Sequence, residues 1–121
     1  MSFDTSITLK NALNANVVFV RLSDDGSSST YSRQDATIGL PQNLGLSNTL
    51  APVGQTGNDK YLVKFTKVKV NATTGKVEQL TMNFTMSIPR SFLDEDVNDG
   101  AAFLKSFLVD ANLVKLRRGE V

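Results

Sequence analysis

Leu80-Thr81-Met82-Asn83-Phe84-Thr85-Met86-Ser87-Ile88-Pro89 alternates without a break between large apolar and short polar residues, then stops at a proline. Successive side chains on a strand point to opposite faces, so this run specifies one face on a core and one in water. The wet row is Thr81, Asn83, Thr85 and Ser87, with none of the usual Lys and Glu. A row of short hydrogen-bonding groups on a flat sheet suits contact with another molecule. A plain solvated strand face would look the same, because Thr is favoured in strands by propensity alone.

The residues before this run read as strands and turns. Ser6 to Lys10 alternates, with Ile7 and Leu9 on one side, and Val17 to Leu22 is a β-branched run. The two are expected to pair as a hairpin across the Asn- and Ala-rich link Asn11 to Asn16. Asp24-Asp25-Gly26 is a turn signal, and Ser27 to Arg33 is either loop or a weak exposed strand. Pro41 argues against a central strand near Leu40. Leu44 to Leu50 alternates, placing Ser47 and Thr49 opposite Leu44 and Leu46. Ala51 to Asp59 holds Pro52, Gly54 and Gly57 and reads as a loop.

Lys60 to Val70 is a long strand whose apolar phase slips between Phe65 and Val68. A bulge near Thr66-Lys67 would restore the phase and gather Lys60, Lys64, Lys67 and Lys69 on one face. After Pro89 the spacing becomes helical. Ser91 is the expected N-cap, with Asp94, Glu95, Asp96 and Asp99 suited to the positive end of the helix dipole. Val97, Ala101, Leu104 and Leu108, widened by Phe103 and Phe107, form the apolar stripe; Asn98-Asp99-Gly100 places the firm helix at Ala101 to Val109. Asp110-Ala111-Asn112 interrupts it, and Leu113 to Leu116 makes a short second helix.

Strands first and helices last describe an α+β fold, read as one domain over residues 1–121 with sheet in 1–89 and helices in 90–121. One terminal helix pair can hardly cover so wide a sheet. A symmetric dimer, each copy's helices over the other's sheet, would solve the burial problem.

Composition removes whole function classes. The chain of 121 residues has no His and no Cys, which excludes Ser-His-Asp and Cys-His catalysis, thiolate zinc sites and disulfides. No enzyme, cofactor, metal or small-molecule substrate is expected. No apolar run approaches the ~20 residues of a membrane span, so no membrane partner is expected. The N-terminus, Met1 to Ser6, lacks the basic-then-apolar pattern of a secretory signal. Net charge is +1, so attraction to nucleic acid must come from a local patch.

Lys60 and Lys64, Ser47 and Thr49, and Thr81, Asn83 and Thr85 fall on the wet faces of three predicted strands. Together they make a surface of amines, hydroxyls and an amide without a carboxylate. Nucleic-acid surfaces combine Lys or Arg for phosphates with short polar groups for sugars and bases, and a flat sheet suits single-stranded RNA. Other candidates carry less. Asp94-Glu95-Asp96 is a charged first helical turn rather than a metal site. Gly54 to Lys60 has the wrong spacing for a phosphate loop. Arg117 and Arg118 are helix C-terminal charges.

The order of elements, with Tyr61 to Val70, a short loop, Leu80 to Pro89 and two closing helices, resembles the coat proteins of levivirus-type single-stranded RNA bacteriophages. Met82-Asn83-Phe84-Thr85-Met86-Ser87-Ile88-Pro89 is the closest match, and Lys60-Tyr61 resembles the start of the family's lysine-bearing strand. The resemblance implies an N-terminal β-hairpin, a five-stranded antiparallel sheet and two C-terminal helices, in an interlocked homodimer with a continuous ten-stranded sheet. It further implies an icosahedral shell around viral single-stranded RNA, with the helices outside and the sheet facing the genome. In several members the dimer binds an RNA hairpin and represses replicase translation. RNA-binding positions by this resemblance are Ser47, Thr49, Lys60, Lys64, Thr81, Asn83 and Thr85, in a virion protein assembled in the bacterial cytoplasm. The loop Asn71 to Gln79 is short for the family, and Leu62 stands where a polar residue is expected. The alternative is a small dimeric sheet protein that binds RNA or a peptide without forming a shell.

Overall fold

Local turn chemistry and period-two patterning build the first 87 residues. The computed structural model describes residues 5–37, 39–50 and 57–120. Its elements are β1 (Ser6–Lys10), β2 (Asn16–Asp24), β3 (Ser28–Arg33), β4 (Gln42–Thr49), β5 (Asn58–Val70), β6 (Val77–Pro89), α1 (Asp94–Phe107) and α2 (Asp110–Arg117). The chain divides into two units, Met1–Ser87 and Ile88–Val121.

The strands form a single six-stranded sheet in chain order, an up-and-down meander. The five strands expected beside a separate hairpin are thus six in one sheet. The expected hairpin does form, Ile7 opposite Phe19 and Leu9 opposite Val17. Its second strand continues into the sheet through Phe19–Arg33, Val20–Ser32 and Arg21–Tyr31.

Each tight turn has a side-chain anchor. Asn11 Oδ1 accepts the backbone N–H groups of Leu13 and Ala15, both at 3.0 Å, and Asn14 takes a left-handed φ of 62° that Asn tolerates. The Asp25 carboxylate accepts from the backbone N–H of Ser28 at 2.7 Å, the N–H of Ser27 at 3.0 Å and both serine hydroxyls. Those bonds hold the Asp25 carboxyl below its ordinary pKa. The weak strand offered for Ser27 to Arg33 is therefore real, and Asp25 starts it.

In the middle of the sheet, β4 and β5 pair from Gln42–Lys67 to Thr49–Lys60 without a register shift. The bulge expected at Thr66-Lys67 is absent from this pairing. The β2–β3 pairing carries one instead, between Arg21 and Ser23. Lys67 consequently shares a face with Tyr61, Val63 and Phe65, and Lys69 follows by alternation. Asn58 and Asp59, expected in a loop, begin β5. Ala51 to Thr56, read as the rest of that loop, lie outside the described residues. Pro41 stands just before β4, where it needs no N–H, and its carbonyl accepts Val68 N–H at 3.0 Å.

The core lies on one face of the sheet. Val17, Phe19, Tyr31 and Leu44 are buried, with Ile7, Leu46, Val63 and Phe65 packed against them. Phe19 and Phe65 meet edge to face, centroids 6.5 Å apart and planes at 78°. Tyr31 is wholly inaccessible to solvent.

In the second unit α1 starts earlier than the spacing suggests. Its N-cap is Leu93 rather than Ser91, and the Leu93 N–H donates to Asp96 Oδ2 at 3.3 Å. Three acidic residues at the positive end of the helix dipole outweigh the weak formers Asn98 and Gly100. Between the helices the Phe107 carbonyl accepts both the Val109 N–H at 2.8 Å and Asn112 Nδ2 at 2.7 Å, which satisfies the end of α1 across a short break. No residue of α1 or α2 is buried, although Phe103, Leu104, Phe107, Leu108 and Val114 are all apolar.

Candidate nucleic-acid interface

Register decides which side chains share the face opposite the core. Gly45 stands opposite Lys64, Ser47 opposite Leu62 and Thr49 opposite Lys60. Ser47, Thr49, Lys60 and Lys64 therefore project from the same face. Alternation places Asn58 on that face too. Its Nδ2 donates to Ser87 Oγ at 2.9 Å, which ties Ser87 to that side. Thr85, Asn83 and Thr81 follow from Ser87 by period two along β6. All seven candidate residues fall on one face. Lys60, Lys64, Thr81, Asn83 and Thr85 are exposed, as is Thr49, and Ser47 is half-buried.

The face is wider than the sequence indicated. Ser28 pairs with Ser47, Thr30 with Gly45 and Ser32 with Asn43, so β3 adds three hydroxyls and β4 an amide. Their signal was the period-two Ser/Thr pattern of Ser28 to Arg33, muted because only Tyr31 marks the apolar side. Thr66, opposite Asn43, adds another hydroxyl. Across β1 and β2 the same side carries Ser6, Thr8, Lys10, Asn16 and two valines.

No carboxylate lies on this face in any of the six strands. Asp24, paired with Ser29, and Asp59, one residue before Lys60, both fall on the core side. Asp24 there accepts from Arg21 Nη1 at 3.3 Å. The polar face is consequently a surface of positive potential in a chain of nearly balanced charge. Leu62 and Val68 interrupt it with apolar area. A cavity of about 380 Å³ at the β2–β3 end lies instead on the core side, among Asp24, Ser29, Leu46, Tyr61, Val63 and Met86.

Lys67 and Lys69, expected beside Lys60 and Lys64, lie on the other side of the sheet. Gln42, opposite Lys67, accepts from Arg33 Nη1 at 3.2 Å, and Arg33 is paired with Asp35. That guanidinium holds the Asp35 carboxyl below its usual range. Among the described residues no group of three His, Cys, Asp or Glu side chains could hold a metal ion.

Neither a known protein family nor a curated protein sequence matches the chain. Its fold nevertheless has close counterparts among solved structures. The virus-like particle of bacteriophage AVE019 is 14% identical, aligns over 95% of this chain and 94% of its own, and gives a TM-score of 0.78. The virus-like particle of Beihai levi-like virus 21 is 15% identical over 98% and 95% of the two chains, with a TM-score of 0.77. That of bacteriophage GQ-907 is 15% identical over 100% and 96%, with a TM-score of 0.75. An antiparallel sheet closed by two C-terminal helices, matched end to end at such low identity, gives this chain the fold of the levi-like phage coat proteins.

Proposed function

We propose that this protein is the coat protein of a single-stranded RNA phage, a structural protein that dimerises, builds a closed shell and holds RNA against its polar sheet face. The observation that carries self-assembly is the state of the helices. Neither has a buried residue, while Phe103 is 73% and Phe107 51% exposed. So much apolar surface on consecutive turns marks an association surface. The end-to-end fold likeness to virus-like particle subunits supports a shell as the product. Residues 1–121 act in this reading as one coat domain of a virion, assembled in the host cytoplasm. Edge-to-edge pairing of two six-stranded sheets would make twelve strands in the dimer, not ten.

RNA contact rests on the carboxylate-free face. Lys60 and Lys64 would neutralise phosphates, and the hydroxyl rows would reach sugars. Asn83, with donors and an acceptor on one amide, is suited to a base edge. A hairpin read this way would let the dimer repress translation as well as package a genome.

Binding of a single-stranded RNA oligonucleotide across a salt series tests the face. Replacing Lys60 and Lys64 with Gln should flatten the dependence of log K on log salt by roughly 1.4, about 0.7 per lost phosphate contact. Lys105→Gln on α1 should leave the slope unchanged. In selection from a random RNA pool, Asn83→Ala should lose sequence preference while non-specific binding persists. An unaltered salt slope in the double variant would remove this face from the RNA site.

A further inference from the structure

Lys67 and Lys69 pose a question that the RNA face does not answer, since they project from the core side. There they line a cavity of about 360 Å³ with Arg33, Asp35 and Gln42, three cations against one carboxylate. Arg33 already engages that carboxylate, with a second contact from Nη2 to Asp35 Oδ2 at 3.3 Å. Neither lysine forms an ion pair among the described residues. The patch therefore presents two ammonium groups without an ion-pair partner at the Val70 end of β5, where Glu78, the nearby carboxylate on that side of β6, accepts from Asn71 Nδ2 at 2.8 Å.

The opposite charge lies at the start of α1. Asp94 and Glu95 form no ion pair among the described residues, while Asp96 is occupied by the Leu93 N–H. Strand β6 supplies the geometry. It is an edge strand of thirteen residues, so one side of its backbone is open to another chain. If two copies pair antiparallel along β6 about a twofold axis, the Pro89 end of one lies at the Val77 end of the other. Val77 follows β5 after the short turn Asn71 to Lys76, in which Asn71 N–H donates to Lys76 O at 2.7 Å. The Pro89 end of the first copy thus arrives beside the lysine-bearing end of the second copy's β5. Only Arg90 to Leu93 separate Pro89 from the acidic turn.

We propose that Asp94 and Glu95 at the start of α1 in one copy dock on Lys67 and Lys69 of a second copy, pairing charges twice across the twofold axis. This rests on the dimer of the proposed function and adds what selects and orients the partner. Such charges set register and partner choice more than raw affinity. They also give Lys67 and Lys69 a role separate from RNA.

Charge reversal tests it in the full chain. One variant carries Lys67→Glu and Lys69→Glu, the other Asp94→Lys and Glu95→Lys; Asp96 is kept for its backbone bond. Light scattering after size exclusion at low salt should show each variant alone weakened in dimerisation about tenfold or more. Refolded together they should form mixed dimers in preference to either homodimer, because both patches in the mixed species are complementary. Should a reversed variant fail to fold by circular dichroism, Lys67→Gln with Lys69→Gln decides. That pair should loosen the dimer several-fold and lessen its salt dependence. Dimers of unchanged affinity with random mixing, or unchanged salt dependence in the Gln pair, overturn the proposal. Loss of RNA binding with intact dimerisation overturns it too, by making the patch a phosphate site. A wild-type chain that stays monomeric would instead defeat the dimer reading beneath it.

Discussion

Replacing Phe103 and Phe107 with Lys should leave the chain folded but monomeric. These rings are 73% and 51% exposed, and α1 has no buried residue, so the change removes little that supports the single chain. Lys also suits the negative end of the helix dipole better than Glu would. In an assembled dimer each Phe leaving water contributes about 2 kcal/mol, and both copies lose theirs. Each 1.4 kcal/mol is roughly a tenfold change in dissociation constant, so self-association should weaken by several orders of magnitude. Sedimentation equilibrium reads the outcome. A double variant that dimerises like the parent would mean that α1 is not part of the association surface.

The second large effect belongs to the core. Tyr31 is fully inaccessible on β3, on the face where Val17, Phe19 and Leu44 form the buried cluster. Truncating a buried aromatic ring to Ala costs about 3–5 kcal/mol through lost transfer energy and the cavity left behind. Domains of this size are stable by about 5–15 kcal/mol, so Tyr31→Ala should use up much of the margin. Its midpoint of thermal unfolding should fall by roughly 15 °C. Tyr31→Phe keeps the ring and should fall much less. Protein concentration must be matched, because association raises the apparent midpoint. A drop of only a degree or two would show that the core is not centred on this residue.

How far such a core could be seen in advance differs from strand to strand. β6 was legible because each apolar residue alternates with a polar one over its last ten positions. The first hairpin was legible from β-branched residues. β3 was obscured because Ser and Thr occupy both of its faces, leaving Tyr31 as the lone apolar marker. The assumed bulge in β5 came from treating Val68 and Val70 as core residues alongside Tyr61, Val63 and Phe65. Val68 in fact stands on the polar side with Leu62, and two lysines stand on the core side. Only the pairing partner reveals this, since Lys67 is placed by Gln42 and not by its own neighbours. The α1 boundary was missed for a local reason: Gly100 and Asn98 argue against helix, yet three carboxylates at the dipole outweigh them.

Of the candidate interface, the seven polar positions were readable because each sits in an alternating run. Ser28, Thr30 and Ser32 were not, since β3 has too few apolar residues to fix a phase, and Asn43 was not, since it precedes the alternating run that begins at Leu44. Register then joined them to the same surface. The lack of carboxylates, guessed for three strands, extends across all six.

Electron microscopy of the expressed full chain, with nuclease-protected RNA assayed in the same fractions, tests the central claim most directly. Closed particles of uniform diameter that retain protected RNA are predicted, with Lys60→Gln/Lys64→Gln particles retaining less. A stable free dimer or monomer at high protein concentration, with no particles and no protected RNA, would contradict it.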